Sequence, residues 1–128
     1  IERLEFCVNL RCFAVFGKHE KEDRLIPALV KDEKAVIHDC NYSFCYIDDL
    51  VKIIDYFIKK DSEHNTYNIG GTKIKLSQIA KKLDKYVPTI NDGLEYTCDD
   101  FRLIKELKFK YSDFDKCLKE YYKWLKRK

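Results

Sequence analysis

Apolar runs and short polar stretches alternate along this chain, and their spacing predicts strands and helices in succession. Residues 8–16, VNLRCFAVF, are nearly all apolar and end at Gly17, the pattern of a strand covered on both faces inside a parallel sheet. Arg11 interrupts the run, and a cation there must reach an edge or find a partner. Residues 18–24, KHEKEDR, predict a solvent-facing loop that holds His19. Residues 25–30 predict a short helix with Pro27 in its first turn. Residues 35–38 read as a short strand and Asp39, Cys40 and Asn41 as a turn, so residues 35–47 predict a hairpin or strand pair.

Residues 44–60, FCYIDDLVKIIDYFIKK, predict the unit on which the rest packs. Phe44, Cys45, Tyr46 and Ile47 suit a strand buried on both faces. Asp48 and Asp49 then stand where a carboxylate accepts from the free N–H groups of a starting helix and suits its dipole. Leu50, Ile54, Phe57 and Ile58, widened by Val51, form the predicted buried stripe, and the helix is expected to end near Lys60.

Residues 61–65 read as loop, and residues 66–69 as a strand closed by Gly70 and Gly71. After an extended piece at residues 74–76, Ser77 is the expected N-cap of a helix striped by Ile79, Ala80, Leu83, Tyr86 and Val87 and stopped by Pro88. Residues 89–93 predict a turn and residues 95–98 a strand, with Asp99 and Asp100 ahead of a helix over residues 101–107. Ser112 is the expected cap of the last helix, with Asp115 three residues on and a stripe of Phe114, Cys117, Leu118, Tyr121 and Leu125. Strands alternating with helices define an α/β fold with a parallel sheet.

Composition changes this picture little. The chain of 128 residues is 45% hydrophobic, enough for one domain with a real core. Its 25 basic and 22 acidic residues leave a net charge of only +3, which gives no footing for a nucleic-acid partner. The terminal cluster of Lys123, Lys126, Arg127 and Lys128 suits a solvated helix end. No apolar run reaches the length of a membrane span and no signal peptide opens the sequence, so a cytoplasmic protein is expected. The six cysteines, in a chain without a secretory signal, read as small buried hydrophobes rather than a disulfide framework. His38, Cys40 and Cys45 are the best-spaced metal ligands but lack a second pair, and no metal is expected.

Familiar catalytic patterns are missing. The four glycines make no phosphate loop, and there is no serine elbow or paired-cysteine motif. Tyr56 with Lys60 and Tyr122 with Lys126 have the Y-x-x-x-K spacing, but neither has a dinucleotide loop upstream, and both read as chance pairs.

In order along the chain, LRCFAVFG, RLIPALV, FCYIDDLVKII, TYNIGG, LSQIA and DDFRLIKELKF together resemble the C-terminal part of the extended short-chain dehydrogenase/reductase family, the NAD-dependent nucleotide-sugar epimerases and dehydratases. The resemblance implies a Rossmann-type α/β fragment of parallel strands with a small, helical substrate-binding lobe. It divides the chain into the end of a helix and a sheet strand of the dinucleotide domain (residues 1–17), substrate lobe (18–47), return helix and strand (48–71) and further substrate lobe (72–128). Residues 1–6, IERLEF, read as the last turn of the helix that would carry the catalytic Tyr-x-x-x-Lys, so no catalytic residue is expected in this segment.

By the same resemblance NAD or NADP is the cofactor of the parent enzyme, with none held tightly by this segment. Phe13 lies against the nicotinamide and Cys12 beside it. A small-molecule substrate, a nucleotide-sugar, is implied near Ala14, where the family often has asparagine. It is also implied near Tyr42, where a diphosphate-gripping arginine is common, with Arg24 and Arg102 as substitutes. A second arginine commonly precedes the strand at residues 95–98, where Thr89 and Ile90 stand here. The implied function is the substrate-binding part of an NAD-dependent epimerase, dehydratase or reductase, inactive without its cofactor domain; the oligomeric state stays open, with a homodimer as one candidate assembly. A non-catalytic binding or assembly module derived from that fold is the alternative.

Overall fold

A computed structural model describes residues 7–34, 36–91 and 93–127. The apolar run at residues 8–16 is not one strand. It breaks at Phe13 into β1 (Asn9–Cys12) and β2 (Ala14–Phe16), which enter different sheets. β1 pairs in parallel with β5 (Thr66–Ile69), from Asn9 opposite Thr66 to Cys12 opposite Ile69. β2 pairs in parallel with the last half of β4 (Asn41–Tyr46). β8 (Glu95–Tyr96) pairs in parallel with the first two residues of β4, and β6 (Thr72–Lys75) lies antiparallel to β4. Arg11 reaches solvent, one of the two outcomes its place in an apolar strand allows.

The expected hairpin at residues 35–47 does not form. β3 (Ile37–His38) pairs instead with β7 (Thr89–Ile90), in the stretch expected to be a turn. Both strands are two residues long, too short to carry a periodic signal.

Helix α1 (Leu25–Val30) holds Pro27 in its first turn as expected. Helix α2 (Ile47–Lys59) starts one residue before the two aspartates, which fall inside its first turn. Its buried face is Asp49 and Ile53 with Leu50 and Phe57, rotated from the expected stripe. Val51, Ile54 and Ile58 are 58%, 40% and 76% exposed.

Helix α3 (Leu76–Lys82) takes Ser77 into its first turn, and the Gln78 side chain accepts from the Lys75 N–H at 3.2 Å. It ends well short of Pro88 because Asp84 adopts a left-handed conformation, with Lys85 N–H donating to the Ala80 carbonyl at 2.9 Å. Helices α4 (Phe101–Leu107) and α5 (Phe114–Arg127) complete the order. Asp113, not Ser112, caps α5, accepting from Lys116 N–H at 3.2 Å.

Two apolar clusters result. The larger joins β2, β4 and β6 to α1, α3 and α5 through Phe16, Phe44, Leu29, Ile79 and Tyr121. The smaller joins β1 and β5 to α2 and α4 through Tyr67, Ile69, Ile53 and Leu103. No helix among the described residues is long and apolar enough to cross a membrane.

Candidate functional site

The break at Phe13 places a ring where two sets of parallel strands part, beyond the carboxyl ends of β1 and β5. In open α/β sheets that is the edge where ligands bind. Phe13 N–H donates to the Ile69 carbonyl at 3.4 Å, which fixes it at the end of β5. Its ring lies 5.1 Å from that of Tyr96, which lies 5.2 Å from Tyr42, which stacks on Phe44 at 5.8 Å. Register explains the run: Tyr42 is paired with Tyr96 across β4 and β8, and Ala14 with Phe44 across β2 and β4.

Beside it, the exit of β5 is held by a polar group. Tyr111 donates to Asp100 Oδ2 at 2.9 Å and accepts from Gly70 N–H at 3.2 Å, and the same carboxylate oxygen accepts from Gly71 N–H at 3.4 Å. Burial and the neighbouring Asp100 carboxylate push the Tyr111 phenol far up, so it stays protonated and holds the loop rather than moving protons. Partial desolvation raises the thiol of the exposed Cys12, while burial with the Asp49 carboxylate pushes the buried Cys45 up to about 12, so Cys45 offers no thiolate.

The structure thus brings Cys12, Phe13, Ala14 and Tyr42 to one neighbourhood. Arg24 stands apart, as the exposed residue ahead of α1. Arg102 lies on α4 with its guanidinium donating to the Thr66 carbonyl at 2.9 Å, at the opposite end of β5 from Phe13. Sequence reasoning missed Tyr96, Tyr111 and the second role of Asp100. The hydrophobic pattern marks none of them, since each acts through a partner distant in sequence.

Of the spaced metal ligands, Cys40 precedes β4 and Cys45 lies near its far end, so the extended strand holds the thiols apart. Elsewhere Glu63, His64 and Glu106 bring ligand atoms within 4.8 Å of one another. The Glu106 carboxylate already accepts from the Tyr67 hydroxyl and the Glu63 N–H.

The parallel strands parted at Phe13 and crossed by α2 define a Rossmann-type α/β protein, as in the extended short-chain dehydrogenases/reductases. The sequence profile of the NAD dependent epimerase/dehydratase family matches residues 4–70. The chain belongs to that family. No curated protein matches it.

Among solved structures it is similar to dTDP-glucose 4,6-dehydratase from Bacillus anthracis in complex with NAD, with a TM-score of 0.78, 19% identity, and 92% of this chain and 44% of that one covered. WbmG from Bordetella bronchiseptica in complex with NAD and UDP gives 0.78 and 17%, with 94% and 44% covered. UDP-glucuronic acid 4-epimerase from Bacillus cereus, in complex with UDP-glucuronic acid and NAD, gives 0.74 and 20%, with 94% and 45% covered. At such identities the likeness establishes the fold. The chain spans less than half the length of each of these proteins.

Proposed function

We propose that this chain is the substrate-side segment of an NAD-dependent sugar-nucleotide epimerase or dehydratase. The observation that carries the reading is the partly buried Phe13 ring at the carboxyl edge of β1 and β5, within the stretch matched by the family profile. The residues present fit the ring end of a dinucleotide: a flat apolar side chain fixed by its own backbone bond to Ile69. They offer no glycine loop for the pyrophosphate. NAD, when bound, supplies the hydride acceptor and donor.

On this reading Phe13 packs against the nicotinamide ring, with Cys12 beside it as a neutral thiol. Ala14 and Tyr42 face the sugar nucleotide. The Tyr111–Asp100 pair keeps Gly70 and Gly71 in place under that site. The cluster around Phe16 and Phe44 belongs to the substrate lobe and the cluster around Tyr67 and Ile53 to the dinucleotide side.

The test uses the full-length protein. Purified enzyme is expected to retain NAD and to convert a UDP-sugar, with Phe13→Ala weakening NAD retention about tenfold, as expected for loss of a buried aromatic contact. NAD retention without conversion of any sugar nucleotide would favour the binding-module alternative. Failure to bind NAD at all would overturn the reading.

A further inference from the structure

At the opposite end of β5 from Phe13, the fold gathers side chains that no spacing in the sequence announces. Glu63 and His64 lie in the loop ahead of β5, and Glu106 lies in the last turn of α4. One imidazole nitrogen and two carboxylate oxygens, one donor from each residue, stand within 4.8 Å of one another.

A buried group outside these three fixes the loop to the helix. Tyr67 is 1% exposed, and its hydroxyl accepts from the His64 N–H at 3.1 Å and donates to the Glu106 carboxylate. The His64 ring packs edge-on against the Tyr67 ring at 5.9 Å. Ser62 Oγ donates to the His64 carbonyl at 2.8 Å, and Glu63 N–H donates to the Glu106 carboxylate at 3.4 Å. Outer hydrogen bonds of this kind orient the ligands of metal sites before the ion arrives.

The donor atoms themselves are left to the outside. Among the described residues no hydrogen bond reaches the His64 ring nitrogens or the Glu63 carboxylate, and no lysine or arginine pairs with Glu63 or Glu106. Arg102, one turn back on α4, turns its guanidinium to the Thr66 carbonyl instead. Two carboxylates are thus held close with no protein cation between them, an arrangement that a bound cation relieves. The third donor is what selects the ion. An imidazole beside two carboxylates suits zinc and the later first-row metals, whereas magnesium and calcium take oxygen donors.

We propose that Glu63, His64 and Glu106 form a zinc site that staples the loop between α2 and β5 to helix α4. Water completes the coordination of an ion held by three protein ligands. The site stands away from the edge where Phe13 lies, so the ion fastens the fold and takes no part in hydride transfer. Because zinc binds the folded chain at this place, its occupancy adds to stability by mass action. The proposal goes beyond the sugar-nucleotide reading and does not depend on it.

The test is titration of the full-length protein, first stripped with a chelator, with zinc alone and separately with magnesium and calcium. Zinc is expected to bind and to raise the melting temperature, and the other two ions to do neither. His64→Ala and Glu63→Gln, both at exposed positions, should each weaken zinc at this site by more than about tenfold, since even an outer partner of a ligand is worth about 10–100-fold. Glu106→Gln keeps an acceptor for Tyr67 and should weaken it as much. In chelator the variants at Glu63 and His64 should melt like the wild type, which shows that the fold is kept. Cobalt in place of zinc should give a visible band that His64→Ala abolishes, without the thiolate band that the exposed Cys12 would add.

A stripped protein that takes up no zinc overturns the proposal. So does zinc binding that is unchanged in both His64→Ala and Glu63→Gln, because the ion then sits elsewhere. Magnesium or calcium binding as tightly as zinc overturns it too, since these residues would then be an ordinary acidic patch.

Discussion

At the residue scale, the two most informative side chains are carboxylates that work at long range. Glu20, in the loop after β2, accepts from the Tyr121 hydroxyl at 3.0 Å across 101 positions of sequence. Burial pushes its carboxyl up to about 7, against the pull of Tyr121, Arg24 and the Gly17 backbone. The folded chain therefore holds this proton to a higher pH than the unfolded chain does. Stability is full below about pH 4.5, falls as pH rises toward about 7, and is level beyond. Because part of the carboxylate remains in water, the loss should be about 1–2 kcal/mol. Urea melts at pH 5 and pH 8 measure it, and Glu20→Gln, which keeps an acceptor for Tyr121, should remove most of the difference.

Asp49 is buried and accepts from both the N–H and the hydroxyl of Ser112, at 2.9 and 2.7 Å. Asp49→Ala strands those donors and should cost about 2–3 kcal/mol, against about 1 kcal/mol for Ser112→Ala. Equal costs in denaturant melts would show that the pair does not act in this way.

At the element scale, the chain's helices were legible in place and type but not at their ends. Glycine usually marks a helix end, and this sequence has four, none closing a helix. Instead Asp32, Asp84 and Lys108 take left-handed conformations after α1, α3 and α4, with φ of 57°, 56° and 51°. No composition signal announces an aspartate or lysine in that role, which is why α3 was expected to run on to Pro88. Strain at such a residue is about 1 kcal/mol, so Lys108→Gly should raise stability by roughly that amount, less the added entropy of the unfolded glycine. Gly71 presents the reverse case. Its φ is +101°, and a Cβ there would land on the Phe44 carbonyl. Gly71→Ala should lower stability by about 2–4 kcal/mol. At Gly93, with φ +70° and open space around it, the same change should cost about 1 kcal/mol. Thermal melts of the two variants side by side separate crowding from backbone strain.

At the scale of the whole molecule, the α/β class was readable because β1 and β2 lie within one mostly apolar run, β4 ends in another, β5 alternates buried and half-buried positions before Gly70, and helical stripes separate them. The aromatic run and the two-cluster division were not, because register and partner choice set them. The clearest mismatch between sequence and packing is α2. Its apolar positions outnumber those it buries, leaving Val51 and Ile58 more than half exposed, and β1 is paired on one side only among the described strands. Apolar helix faces and unpaired strand edges both favour association. Residues 7–127 produced alone should therefore self-associate as concentration rises, which sedimentation velocity will show. Val51→Lys with Ile58→Lys charges the helix face without touching the buried Ile53, so these changes should cost little stability. If the double variant sediments as a monomer, α2 is the sticky surface. If it still associates, the β1 edge is. A wild-type segment that stays monomeric at every concentration would mean that neither surface is exposed enough to matter, and that the apolar side of α2 is an ordinary solvent face.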